Sequence, residues 1–334
     1  MINKEAQLAE SIFSPEISQR PTRSGYGEGI LFAGRKNKNV VALSADLSES
    51  TCSNLFEKEF PERFFEMGVA EQNMAAVAAG LAISGKIPFI ASYATFSPGR
   101  NWEQIRTTIA YNNANAKIAG HHAGVSVGPD GATHQALEDI AMMRAMPNMT
   151  VIVPADAIEA KKATVAAAQI VGPVYLRFAR EKSPVFTTDK TPFVPGKANI
   201  LWRGRKPQVA LIACGPLVHN ALLAAKELQE KHKIEVMVLN MHTIKPLDEK
   251  AVIDAAKTCG AIVTVEEHQV AGGLGGAVSE LLSKKLPTPM EFIGMQDTFG
   301  ESGKPSELLK KYGMDVPAIV EAVKCAAERR VAIR

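Results

Sequence analysis

Short apolar runs alternate with helix-length stretches along nearly all of this 334-residue chain, and that alternation excludes most architectures. Val40–Ser44, Pro88–Tyr93, Lys117–Ala119, Thr150–Pro154 and Pro173–Phe178 read as strands, being short, apolar and rich in valine, isoleucine and alanine. Between them the spacing predicts helices over Thr22–Gly34, with Thr22 as its cap, and over about 101–111, 135–145 and Ala157–Val171. Strands returning through helices make a parallel sheet covered on both faces. A second alternating unit starts at Val209 with VALIACG, and continues through helix 217–231, IEVMVLN, helix 248–257, AIVTVEE and helix 274–285. Between the units the composition shifts toward Pro, Thr and Lys, including Pro184, Pro192 and Pro195. The expected organisation is α/β: a first domain over 1–183, a linker over 184–204 and a second domain over 205–334. Residues 1–21, polar and irregular, read as an arm that packs on a neighbour or stays loose.

Composition narrows the functional classes. A hydrophobic content of 46% with 22% charged residues can bury a sizeable core, and a net charge of +3 without a Lys/Arg block argues against nucleic acid. Cys52, Cys214, Cys259 and Cys325 lie far apart without CxxC spacing, which argues against a zinc site or disulfide framework and fits a reducing cytosol. The first residues lack a signal-peptide pattern, and Lys86 and Pro88 interrupt the best apolar run. A soluble, cytoplasmic chain is expected, without membrane or nucleic-acid partners.

The stretch Phe64–Ile83, FFEMGVAEQNMAAVAAGLAI, shows where chemistry enters. A short apolar run turns at Gly68 into a helix whose first turn carries Glu71. Met74, Val77, Ala78 and Leu81 then repeat at helical spacing, and the other faces are mainly alanine and glycine, so another helix can approach closely. A lone glutamate at a helix start is usually a favourable charge on the helix dipole. Its company changes that reading: Asp46, Glu71, Phe96, His122 and Arg180 all follow expected strands, and ligands collect at the carboxyl ends of such strands. The densest group is HHAGVSVGPDGATHQ, at residues 121–135. Metal ligation there lacks an HxxxH or cysteine partner. Acid–base work and polar substrate binding suit it better, since imidazole shuttles protons near neutrality and Gly124, Gly128 and Gly131 allow close backbone approach. The Gly272–Gly276 run GGLGG fails as a dinucleotide fingerprint and reads as a tight turn onto a helix.

These residues also carry a family resemblance. SADL at Ser44–Leu47, GVAEQNM at Gly68–Met74, ATF at Ala94–Phe96, GPDGATHQ at Gly128–Gln135, FARE at Phe178–Glu181 and VEEH at Val265–His268 occur in order. Together they make the chain resemble the C-terminal two-thirds of a transketolase, or the matching part of a deoxyxylulose-phosphate synthase. The GDG…N segment with which such enzymes hold a metal and the cofactor's diphosphate is missing from this sequence. The resemblance is therefore to the pyrimidine-binding and C-terminal domains of a split transketolase's B subunit.

That resemblance implies specific roles. Glu71 matches the glutamate that hydrogen-bonds N1′ of the aminopyrimidine of thiamine diphosphate and promotes the tautomer that takes the proton from C2. Phe96 matches an aromatic residue packed on the pyrimidine ring, and its alternative is a core phenylalanine. Gly99 stands where another aromatic is often found; Trp102 is the expected replacement, and Leu47 is a further cofactor contact. Asp130 and His134 match residues that recognise donor-sugar hydroxyls, with His134 also catalytic near the carbonyl. His122 and Arg180 match a substrate-phosphate site to which Arg23 and Ser50 add weaker parts. Mg²⁺ or Ca²⁺ would be held by a separate N-terminal, diphosphate-binding subunit, in an α2β2 assembly. The implied reaction passes a two-carbon ketol unit from a ketose, expected to be phosphorylated, to an aldehyde acceptor. Rival readings are a deoxyxylulose-phosphate synthase-like chain, a 2-oxoacid dehydrogenase E1 β-like subunit and a non-catalytic scaffold.

Overall fold

In the computed structural model, which describes residues 1–332, the apolar runs of the first half become one seven-stranded sheet. Its order is Thr243–Lys245, Thr150–Ile152, Val174–Arg177, Lys117–His121, Ile87–Tyr93, Val40–Ser44, Phe64–Glu66. All neighbours run parallel except Thr243–Lys245, which pairs antiparallel with Thr150–Ile152. Val40–Ser44 and Lys117–His121 are buried at every residue, as strands covered on both faces must be.

The period-two geometry of these strands divides the core. Val40, Ala42, Phe89, Ala91, Ala119, Val174 and Leu176 face one side, with Tyr26, Ile30 and Ala160 of two helices, Thr22–Lys36 and Ala157–Ala167. Those helices pack closely because glycine lines one of them. A β-carbon at Gly25 would fall 2.8 Å from that of Ala160, and one at Gly29 2.6 Å from that of Thr164. Val41, Leu43, Ile90, Ile118 and Tyr175 face the other side and join a cluster continuing into the second domain through Ile212, Met237 and Leu274.

The second sheet runs Met290–Met295, Ile262–Gln269, Val209–Ala213, Val236–Asn240, Asn199–Arg203, with only the last strand antiparallel. Asn199–Arg203 falls inside the stretch expected to be a linker. Thr243–Lys245 departs further from expectation, since the second half of the chain lends this strand to the first sheet.

Several local expectations are corrected. Thr22 is not a helix cap: Pro21 holds that position, and the Thr22 hydroxyl accepts a hydrogen bond from the Ala179 amide at 2.7 Å. The helix expected over 135–145 covers only Asp139–Arg144, because Gln135 and Ala136 are tied to the loop before them. The stretch from Trp102 starts as one α turn and continues as a π turn over Ile105–Ala110. In the helix Glu71–Ile83 the buried stripe is Glu71, Met74, Ala75, Ala78 and Ala79, while Val77 and Leu81 are only half-buried. The N-terminal arm packs on its own chain, burying Ile12 and Ile17 beside Trp202 and Leu217. The tight turn expected of the glycine run is made at Gly272 and Gly273, and Gly275 and Gly276 already belong to the helix Leu274–Lys285. Among the described residues no helix is long and apolar enough to cross a membrane.

Candidate active site

Five adjacent strands of the first sheet end along one edge, and their carboxyl ends deliver the candidate residues. Beyond Phe64–Glu66 the Glu66 carboxylate accepts from the amides of Asp46 and Gly68, at 2.7 and 2.8 Å, tying two strand ends together. The chain turns through Gly68 and starts the helix at Glu71, whose side chain is 1% exposed. One carboxylate oxygen, Oε2, accepts from Arg100 Nη1 at 2.7 Å; Oε1 has no hydrogen-bond partner among the described residues. The Asn101 amide nitrogen donates to the Glu71 carbonyl at 3.0 Å and to Ser97 Oγ at 3.1 Å, pinning the turn after Phe96 to the head of this helix.

Aromatic rings form the middle of the site. Tyr93 stacks on His122 with centroids 4.0 Å apart, Phe96 lies 6.0 Å from Tyr93, and His134 meets Phe96 edge-on at 5.5 Å. Phe96 is half-buried, with the Arg100 guanidinium 4.7 Å from its centroid. It is therefore a wall residue with an open side rather than a core phenylalanine. Trp102 does not join this wall: it packs on the core beside the helix, its indole nitrogen 3.5 Å from the Met142 carbonyl. Leu47, half-buried in the turn after Val40–Ser44, has its amide held by Ser44 Oγ at 3.1 Å.

At the other end lies a cationic group. Arg23 donates to the Ser50 carbonyl at 2.7 Å, and Arg180 donates to the Val127 carbonyl at 2.7 Å with Asp130 3.6 Å away. Between them His122 is buried, and both its ring nitrogens lack partners. Burial, followed by the positive charges of Arg23 and Arg180, pushes its pKa down to about 3. The ring is thus neutral near pH 7. Arg23 Nε is another buried atom without a partner. Orphaned polar atoms beside two guanidinium groups fit an anion with several acceptor oxygens. Asp46, Cys52 and His122 all adopt positive φ (59°, 62° and 52°), a conformation non-glycine residues rarely hold and one concentrated at working sites.

His121 separates from its neighbour. It ends the strand Lys117–His121 and points into the core, its centroid 4.7 Å from that of Tyr26 and 5.0 Å from that of Phe178. The following loop is shaped by the second domain. Gly124 leaves room for Glu267, whose carboxylate accepts from the Ser126 amide at 2.6 Å. Gln135 Nε2 donates to the carbonyls of Val125 and Glu301 at 3.0 and 2.9 Å. This leaves Asp130 exposed and His134 half-buried at the rim, with His134 Nδ1 2.9 Å from Thr133 Oγ1. The sequence pattern assigns no role to Tyr93 or Arg100, and none to Gln135 beyond its place in GPDGATHQ; Tyr93 closes the expected strand Pro88–Tyr93, and that position is its available signal.

The buried carboxylate with a free oxygen, beside an open aromatic face, fits an aminopyrimidine. The cationic group fits the anionic end of a substrate, and His134 and Asp130 stand between rim and ring. Residues 18–185 match the transketolase pyrimidine-binding domain family, and residues 196–319 match the transketolase C-terminal domain family. The chain is 46% identical over 304 residues to a Methanocaldococcus jannaschii protein provisionally named a transketolase C-terminal section, covering 90% of this chain and 94% of that one. It is 38% identical to the 6-deoxy-6-sulfo-D-fructose transketolase subunit SqwH of Clostridium sp. strain MSTE9, covering 95% and 98% of the two chains. Among solved structures, a split-gene transketolase described as an inactive beta4 tetramer superposes with a TM-score of 0.86 at 45% identity, over 92% of this chain and 98% of that one.

Proposed function

This chain belongs to the transketolase family, and from that premise we infer that it is the C-terminal subunit of a split, thiamine-diphosphate-dependent transketolase. The observation that carries this reading is the buried Glu71 carboxylate with one unpartnered oxygen at the strand edge that also gathers Phe96, His122, His134 and Arg180. When bound, thiamine diphosphate supplies the carbon nucleophile that attacks a ketose carbonyl. Glu71 would take the pyrimidine's N1′ on Oε1 and exchange a proton there, in a dry setting where that bond is strong. Phe96 would pack on the ring. His134, with Asp130, would orient the donor's hydroxyls, and His134 is placed to move a proton at the carbonyl end.

Arg23, His122 and Arg180, with the Ser50 segment, would bind the far anion of the donor, most simply a phosphate monoester. One relative favours a second possibility for that anion. The Clostridium subunit's name gives a sulfonated sugar as its substrate, and a sulfonate also presents three acceptor oxygens.

The metal and the diphosphate would be held by a separate N-terminal subunit in an α2β2 complex, with sites at the interface. Support comes from relatives of this chain's own length named as sections or subunits, and from the structural relative described as a split-gene transketolase in an inactive beta4 tetramer. The test is reconstitution. The purified chain alone should bind thiamine diphosphate poorly and transfer no ketol unit. Adding a transketolase N-terminal subunit with Mg²⁺ should restore both, with light scattering reporting two copies of each chain. Full ketol transfer by this polypeptide alone would defeat the reading.

A further inference from the structure

Glu71 has a neighbour to which no role has been assigned. Arg100 follows the aromatic wall by four residues, its own amide bonded to the Phe96 carbonyl at 2.9 Å. Asn101 locks the turn to the head of the Glu71 helix through Glu71 O and Ser97 Oγ. From that anchored turn the Arg100 guanidinium does two things at once. It donates from Nη1 to Glu71 Oε2 at 2.7 Å, and it lies 4.7 Å from the centroid of Phe96. The two partners differ sharply in exposure: Arg100's side chain is 47% exposed, Glu71's 1%.

A glutamate's last torsion is soft, with broad minima, so a carboxylate held only by its stem samples many orientations of its plane. A charge-assisted bond to one oxygen narrows that range and leaves the other oxygen with a fixed direction. The cation over Phe96 holds that ring to the same anchor. We propose that Arg100 is a positioning residue: it clamps Glu71 through Oε2 so that Oε1 faces the aminopyrimidine, and it holds Phe96 in register with it. The proposal rests on the assignment of Glu71 to the cofactor. It adds that the carboxylate is aimed by an arginine carried on a separate strand end.

The test uses the full chain reconstituted with an N-terminal subunit, Mg²⁺ and thiamine diphosphate, without donor sugar. Hydrogen exchange at C2 of the bound cofactor is followed by NMR, and cofactor affinity by calorimetry. Arg100→Ala should slow exchange by about 10–100-fold, the usual effect of removing a group that orients a functional side chain. Affinity should change far less than the rate does. Arg100→Lys, which keeps the charge but not the fork, should recover part of the rate. Because Arg100 acts mainly through Glu71, adding Arg100→Ala to Glu71→Gln should slow exchange by far less than the product of the two single losses.

Wild-type exchange in Arg100→Ala would overturn the proposal, as would additive losses in the double variant. Markedly tighter cofactor binding in Arg100→Ala would overturn it too, by showing that the arginine occupies the pyrimidine's place. Should the Ala variant fail to fold by circular dichroism, Arg100→Lys and Arg100→Gln carry the same comparison. If the wild-type complex exchanges no faster than free cofactor, the assignment of Glu71 itself falls, a result distinct from failure of the clamp alone.

Discussion

Glu71 and Glu266 are both fully buried carboxylates near the start of a helix, and their hydrogen bonds are very different. Glu266 accepts from the Leu274 amide on Oε2 at 2.7 Å and from the Gly275 amide on Oε1 at 2.8 Å. Its carboxyl group thus takes the amides of the helix start that a phosphate could otherwise occupy, which is why the glycine run Gly272–Gly276 is no anion site. Glu71 shares one oxygen with a half-exposed arginine and leaves the other free. The histidines of the two regions repeat the contrast. His268 Nδ1 lies 2.7 Å from the Gln269 carbonyl, whereas both nitrogens of His122 are buried without partners. Around Glu266 the polar network is closed, with Arg177 gripping Asp139 and the Glu267 carbonyl between the two sheets. Residue type and burial therefore do not mark a site, and neither does a lone unpartnered atom, since both nitrogens of His121 are orphaned in the core; what marks the site is unfilled hydrogen-bonding capacity gathered beside cationic and aromatic side chains.

The largest effect should come from exchanging amide for carboxylate at Glu71. Glu71→Gln in the reconstituted complex should lower ketol transfer by about 10²–10⁴-fold, as expected for a lost acid–base group, while shifting stability little. Glu266→Ala should do the reverse, costing about 2–5 kcal/mol of unfolding free energy by orphaning two buried amides. Urea titration beside a coupled ketol-transfer assay measures both. A large stability loss at Glu71, or none at Glu266, would erase the distinction.

Arg180→Ala tests the cationic end. Losing a charged partner of a phosphate costs about 1.5–3 kcal/mol, so KM for a phosphorylated donor should rise about 10–100-fold. An unphosphorylated ketose should be little affected. Equal losses for both would mean that the bond from Arg180 to the Val127 carbonyl, which shapes the loop, is what matters.

The smallest expected effect concerns pH. His122 titrates at about 3 in the folded chain against an ordinary value of 6.5, so the folded state keeps it neutral while the unfolded state gains the proton first. Its contribution is complete above 6.5 and is lost as pH falls from there toward about 3. Between pH 7.5 and 6, wild type should lose about 1 kcal/mol more stability than His122→Asn, measured by denaturant titration at each pH. Parallel curves for the two proteins would mean that the His122 ring is solvated in the free chain.

Much of the fold was legible because it follows from local periodicity. Buried strands such as Val40–Ser44 and Val209–Ala213 declare themselves through apolar β-formers, and the helices between them through spacing, whereas the one cap expected, Thr22, was not a cap. The convergence of Glu71, Phe96, His122 and Arg180 followed from one rule, that parallel strands present their carboxyl ends along one edge. Local sequence could not reveal that Thr243–Lys245 joins the first sheet, since three residues carry no period and their partners lie about ninety residues away. Nor could it separate His121 from His122, adjacent and chemically identical. A strand that ends on His121 turns that ring into the core, and the positive φ of His122 turns the next ring to the site. The same limit hid Arg100, whose meaning depends on a turn anchored 30 residues back along the chain at Glu71. The sequence by itself determined which elements form and which side chains can do chemistry, since those depend on residue type and short-range spacing. Tertiary structure alone decided which polar atoms remain unfilled, because each vacancy depends on partners brought in from distant parts of the chain.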